Sequence, residues 1–209
     1  MNSRPASVQS PPGAQAPPKN GGINLELIAQ AQQGDRRAFG ELVHRYREGV
    51  VNVVYRMCGD ANLAQDAAQD AFIRAWQHLP NFRPRPPSVH KGKPSDSFRN
   101  WLYRIATNAA RDVLRRERET VDVDGLSLAA LDAGPAEMVE GAERGERVRQ
   151  AVLALPPASR EVLILREYEG LSYREIADTL DIPIGTVMSR LNYARKRLRE
   201  LLVPYLEAL

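Results

Sequence analysis

Few residues of this 209-residue chain could run a reaction. His44, His78 and His90 are scattered, and none belongs to an H-E-x-x-H pair. Asp66 and Asp70 share a helical face, but no third or fourth ligand accompanies them as a metal pair would require. No Walker sequence and no G-x-S-x-G occurs. The lone cysteine, Cys58, excludes a disulfide framework and a cysteine-based zinc site. No catalytic residue, cofactor or metal is expected. The side chains with chemistry to offer are guanidiniums and amides at helical spacing. Arg104, Asn108, Arg111 and Arg115 follow one another at intervals of four, three and four, one stripe along a helix. Three guanidiniums around an amide suit a phosphate backbone and one base edge. A second set, Ser189, Arg190 and Asn192 followed by Arg195, Lys196, Arg197 and Arg199, has the same character.

The charge distribution agrees with a polyanion partner, although the formal net charge is only +3. Residues 119–143 hold seven acidic side chains and no Lys or Arg. Outside that segment 29 basic residues face 19 acidic ones, and residues 83–118 hold ten basic against three acidic. Two basic regions separated by an acidic spacer fit nucleic acid better than the average suggests. No run approaches the 18 or more apolar residues of a membrane span, so a cytoplasmic protein without membrane insertion is expected.

The elements that must position these side chains are helices almost throughout. Residues 1–22 are rich in Pro, Ser, Gln and Gly and read as a disordered tail. Asn24 and Asp35 can cap two helices, the first ending at Gly34 and the second near Met57. Gly59-Asp60 breaks and caps again before a helix over 61–79, whose Ala64, Ala68, Ala71 and Ala75 allow close helix approach. A proline-rich loop precedes a helix from Phe98 to about Arg116, with Asp96 or Ser97 as its cap. Its apolar stripe is Phe98, Trp101, Leu102, Ile105, Ala109 and Val113. Beyond the spacer, in which one helical turn around Leu126–Leu131 is conceivable, helices are expected near 145–154, 157–169, 172–180 and 184–203. No strand pattern is present. The expected architecture is all-α: a tail 1–22, a helical domain 23–117, an acidic linker 118–143 and a helical domain 144–205.

The last of these has the most specific local signature. Ser172 and Glu175 form an S-x-x-E capping box, and Ile176, Ala177 and Leu180 point inward. Asp181-Ile182-Pro183 makes a tight turn plugged by Ile182, and Pro183 starts the next helix, with Val187 and Leu191 inward. This is helix-turn-helix spacing, in which the second helix enters the major groove. Its outward residues are then Gly185, Thr186, Met188, Ser189, Asn192 and Tyr193. Thr186 and nearby amides suit a phosphate, Ser189, Arg190 and Asn192 suit base edges, and Arg195, Lys196, Arg197 and Arg199 suit phosphates beyond.

At these residues the chain resembles the extracytoplasmic-function (ECF) group of bacterial RNA polymerase sigma factors. Residues 171–195, with G-T-V-x-S-R at Gly185–Arg190, resemble the family's region 4. Residues 63–79, with D-x-x-Q-[DE]-x-F at Asp66–Phe72, are similar to region 2.2, and 98–114, with W-L-Y-R-I-A-x-N, to regions 2.3 and 2.4. The resemblance implies two helical domains and a linker that follows the RNA exit path. It implies that Asp66, Gln69, Asp70 and Ile73 meet the β′ clamp helices of core RNA polymerase, with the β flap as a further contact. Promoter DNA would meet Phe82, Arg104, Asn108, Arg111 and Arg115 at the −10 element, Phe82 as an aromatic wall for a captured base. At −35 the implied contacts are Thr186, Met188, Ser189, Arg190, Asn192, Tyr193, Arg195 and Arg197. An anti-sigma factor is a further implied partner. The loop 83–97 is about ten residues longer than the family's usual connection, and Met188 and Tyr193 stand where relatives often have basic residues. The competing reading is an autonomous helix-turn-helix regulator, which would have no use for the Asp66–Phe72 motif or the Asn108 stripe.

Overall fold

The computed structural model describes residues 21–84, 89–90, 93–94, 96–124 and 140–206. The expected tail falls almost wholly outside the described residues, as do much of the 83–97 loop and the possible turn at Leu126–Leu131. The elements are α1 (Gly21–Gln32), α2 (Arg36–Cys58), α3 (Ala61–His78), α4 (Ser97–Asp124), α5 (Glu140–Leu153), α6 (Pro157–Leu163), α7 (Tyr173–Leu180) and α8 (Ile184–Leu206). The all-α expectation holds. One small addition is a two-residue antiparallel pair, β1 (Val89–His90) with β2 (Lys93–Pro94), too short to leave an alternating pattern.

Local chemistry explains most boundaries. Asp35 accepts hydrogen bonds from the amides of Arg37 and Ala38, and Asp60 from those of Asn62 and Leu63. Gly59 closes α2 at φ +81°, a conformation that a side chain would oppose. Asp96 caps α4 by accepting from the Arg99 amide. Asn24 departs from expectation: it lies inside α1, where its side chain donates to the Tyr46 hydroxyl (2.7 Å) and accepts from Arg45. α4 also runs eight residues past Arg116 to Asp124. Its continuation is rich in charged residues and lacks the apolar stripe from which the end was read.

Helices α1–α4 enclose the first core, built on Leu42, Val50, Val53, Met57, Leu79 and Leu102. The alanines of α3 face it. Ala64, Ala67, Ala68, Ala71 and Ala75 are all buried, so α3 presses close to both α2 and α4. Ala71→Leu is therefore expected to overpack this site and lower stability by about 1–3 kcal/mol, read as an earlier midpoint in urea unfolding.

The second core joins Leu155, Val162, Ile164, Leu165, Leu171, Ile176, Val187 and Leu191. After α6 the chain passes through a π-helical turn, Ile164–Tyr168, which apolar periodicity does not distinguish from α-helix. The two cores are in contact: α4 packs against α7, and α2 against α5 and α6. Arg160, itself buried, stitches them by donating to the Met57 carbonyl of α2 and the Leu153 and Leu155 carbonyls. Arg149 donates to the Gly59 carbonyl at 2.9 Å.

Candidate nucleic-acid interface

The helix-turn-helix forms as its residues dictate. Ser172 accepts from the Glu175 amide and the Glu175 carboxylate accepts from the Ser172 amide, which closes both ends of the capping box. Burial alone would raise the Glu175 carboxyl, but these bonds and one from Asn100 hold it below its ordinary range. Asp181 takes a left-handed conformation (φ 57°) that turns the chain, and Ile182 packs on the core between the helices. Val187, Leu191 and Ala194 occupy the inner side of α8. Met188, Ser189, Asn192, Tyr193, Arg195 and Arg197 are exposed.

Not all of these polar groups are idle. The Ser189 hydroxyl donates to the Thr186 carbonyl, and the amides of Thr186 and Val187 donate to the Pro183 carbonyl. Arg195 pairs with Glu167 at 2.6 Å and Arg197 with Glu200 at 3.0 Å. Arg190 leans inward, 3.5 Å from the carboxylate of Glu161 on α6.

On α4 the stripe is present and engaged. Arg104, Asn108, Arg111 and Arg115 are exposed on one face while Leu102, Ala106, Ala109 and Ala110 are buried on the other. Arg111 donates to the Asn108 amide oxygen at 2.8 Å and reaches Glu161 at 2.6 Å. Arg104 pairs with Asp181 of the turn at 3.1 Å. Arg115 lies 3.6 Å from Asp112. Glu161, 2% exposed, thus holds one guanidinium from α4 and one from α8. Burial pushes its carboxyl above the ordinary range, against the pull of those two arginines. Nearby, the Tyr103 hydroxyl donates to Glu169, whose carboxyl burial also raises, and Arg56 lies 4.2 Å from the Tyr168 ring. A side chain at Gly49 would strike the Tyr103 hydroxyl, which fixes how closely α2 and α4 approach here. Sequence reasoning missed Glu161 and Glu169, because nothing local marks a carboxylate that is buried by a second domain.

Phe82 is 6% exposed, its ring packed on Trp101 (4.8 Å) and edge-on to Phe98 (5.6 Å). Gln32 of α1 holds that turn by donating to the Leu79 and Phe82 carbonyls. Trp101 is the half-buried ring of the trio.

Across the domain, Asp66, Gln69, Asp70 and Ile73 form one outward row of α3. Asp70 is tied to Arg74 at 2.7 Å, and Arg74 also binds Asp112 of α4 at 2.9 Å. Those contacts hold Asp112 ionised, its carboxyl below the ordinary range. Gln69 and Ile73 border a groove of about 480 Å³ between α2 and α3, with Phe39, Val51, Phe72 and Trp76 among its walls. The Phe39 and Trp76 rings meet at a tilt, their centroids 4.9 Å apart. Sequence reading found the α3 side of this groove and missed the α2 side, whose residues show no motif.

Comparison with known proteins agrees with the geometry. A family model for sigma-70 region 2 matches residues 42–120, and one for sigma-70 region 4 matches residues 145–198. RNA polymerase sigma-H factor of Pseudomonas aeruginosa is 37% identical over 87% of this chain and 94% of its own length. ECF RNA polymerase sigma factor SigW of Bacillus subtilis is 33% identical over 83% of this chain and 93% of its own. Among solved structures, CnrH in complex with the cytosolic domain of CnrY superposes with a TM-score of 0.64. It is 29% identical, covering 87% of this chain and 98% of that one. The sigma factor RpoE, in complex with the anti-sigma factor NepR from Bartonella quintana, gives a TM-score of 0.61 at 26% identity, covering 78% and 96%.

Proposed function

Because this chain belongs to the extracytoplasmic-function group of RNA polymerase sigma factors, we propose that it directs core polymerase to promoters through three separate surfaces. The α3 row and its apolar groove take the β′ clamp helices, the α4 stripe takes the −10 element, and α8 enters the major groove at −35. A further hold on the β flap belongs to the second domain. The work is binding and strand separation without catalytic chemistry of the chain's own, and it is done in the cytoplasm, where promoter DNA lies. Among the described residues no helix is long and apolar enough to cross a membrane. The titles of the two structural relatives place them with regulatory partners, and an anti-sigma factor is proposed here on that likeness.

The observation that carries this reading is the coexistence of the α3 groove with two DNA-directed helices. A plain helix-turn-helix regulator has no use for the groove. Promoter elements centred near −10 and −35 lie about 85 Å apart at 3.4 Å per base pair. In this conformation Arg104 of α4 touches Asp181 of the helix-turn-helix turn. The two domains must therefore part before both elements are reached; the 15 residues between α4 and α5 span up to about 50 Å when extended, and the width of the domains themselves covers the rest.

The roles divide experimentally in reconstituted holoenzyme. Asn108→Ala removes one base-edge contact and is expected to slow open-complex formation on the order of tenfold, about 1–3 kcal/mol of discrimination. Arg195→Ala is expected to weaken initial promoter binding and reduce its salt slope by about one. Equal effects of both changes on both steps contradict the division.

A further inference from the structure

We infer that Ile184 and Met188 read the upstream promoter element through the C5-methyl groups of thymines. This deepens the promoter-reading role given above to α8 and depends on it. Among the described residues eight large apolar or aromatic side chains are exposed, and three stand in the first ten residues of α8. They are Ile184, Met188 and Tyr193, at 50%, 48% and 50%. They are not an overflow of the core, since Val187, Leu191 and Ala194 already fill the inner side of the helix. Ile184 and Met188 are four residues apart and form one apolar edge beside the polar face.

The neighbours of that edge say what covers it. Arg195 and Lys196 continue along the same helix, so the partner is anionic as well as locally apolar. A membrane surface would need a broad apolar face on α8, and the broad face is buried in the second core. In the major groove the apolar feature is the thymine methyl, and apolar side chains are its natural contacts. The polar centre of the face has one donor fewer than its residue types suggest, because the Ser189 hydroxyl donates to the Thr186 carbonyl. Gly185 completes the case for close approach. A Cβ there would meet nothing within 4 Å, and its φ does not require glycine.

The test uses holoenzyme to select duplexes from a pool randomised over the upstream element. Each thymine of the selected site is then replaced by uracil, which removes the methyl alone. The expected result is thymine at positions facing the start of α8, and binding about fourfold weaker per methyl removed, as about 0.8 kcal/mol per buried carbon implies. Ile184→Ala and Met188→Ala, both at exposed positions, should bind the thymine and uracil duplexes alike while keeping the wild-type salt dependence. Enriched sites lacking thymine there, or equal wild-type binding of the two duplexes, overturn the methyl inference and leave the sigma role standing. Enrichment of no sequence at all contradicts the promoter-reading role and the inference with it.

Discussion

Ile73→Asp is expected to abolish association with core polymerase while leaving the chain folded. Ile73 is 48% exposed on α3, so replacing it opens no cavity and breaks no internal bond. Its side chain borders the groove whose other walls include Phe39, Arg47, Phe72 and Trp76. Covering that groove with a partner helix buries the isoleucine, worth about 1.5–3 kcal/mol, and an aspartate there would have to be desolvated among apolar and aromatic side chains, a cost that Arg47 of the same groove offsets only in part. The two costs together predict a loss of at least about 100-fold in affinity for core, measured by competition against the wild-type chain. Asp66→Asn, at an exposed carboxylate of the same row, should cost about tenfold or less. An Ile73→Asp chain that keeps its unfolding midpoint and still binds core within a few-fold of wild type would remove the groove from the interface.

The second large effect concerns the contact between the domains. Tyr103→Phe combined with Tyr168→Ala is expected to open the free chain and release the α4 stripe. Tyr103 supplies the hydroxyl that satisfies half-buried Glu169, and Tyr168 supplies the ring over which Arg56 lies. Losing the hydroxyl leaves a half-buried carboxylate short of a donor, a penalty of about 1 kcal/mol that separation of the domains relieves. Loss of the cation–π contact adds about 0.5–1 kcal/mol. Neither substitution alters the charge of the α4 stripe or of α8. The free variant should therefore bind a single-stranded −10 oligonucleotide about tenfold or more tightly than wild type, because Arg104 and Arg111 are no longer committed to Asp181 and Glu161. Binding of an upstream duplex should change little, since Met188, Ser189, Asn192 and Tyr193 are already exposed. A larger radius of gyration in solution scattering should accompany the change. Unchanged oligonucleotide binding together with unchanged radius would mean that the contact does not restrain the stripe.

The parts of this molecule that were legible in its sequence are those fixed by neighbours in the chain. The capping box at Ser172 and Glu175, the turn at Asp181 plugged by Ile182, and the caps at Asp35 and Asp60 are short-range arrangements, and each formed as expected. The α4 stripe was readable for the same reason, because helical spacing alone puts Arg104, Asn108 and Arg111 on one face. What escaped depends on distant residues. Glu161 reads as an ordinary helix glutamate, and only the meeting of α4, α6 and α8 makes it a buried hub for two arginines. Arg190 reads from sequence as a base-edge contact, and the structure turns it toward that carboxylate instead. Phe82 was singled out as a wall for a captured base, and the structure adds that Trp101 is the more accessible ring beside it. Asn24 was read as a cap, yet its side chain is drawn to Tyr46 and Arg45, which lie more than 20 residues away. The far end of α4 was missed because its last residues carry charge without an apolar stripe.

Transcription in vitro with purified core polymerase tests the central claim most directly. The template is a duplex selected by the holoenzyme, and the readout is transcripts that start at one position downstream of it. The account predicts that core alone, the free chain alone, and core with the Ile73→Asp chain all give no specific start, while core with the wild-type chain does. A wild-type chain that binds the duplex tightly without core and never directs core to a start would contradict it, and would mark the protein as an autonomous DNA-binding regulator.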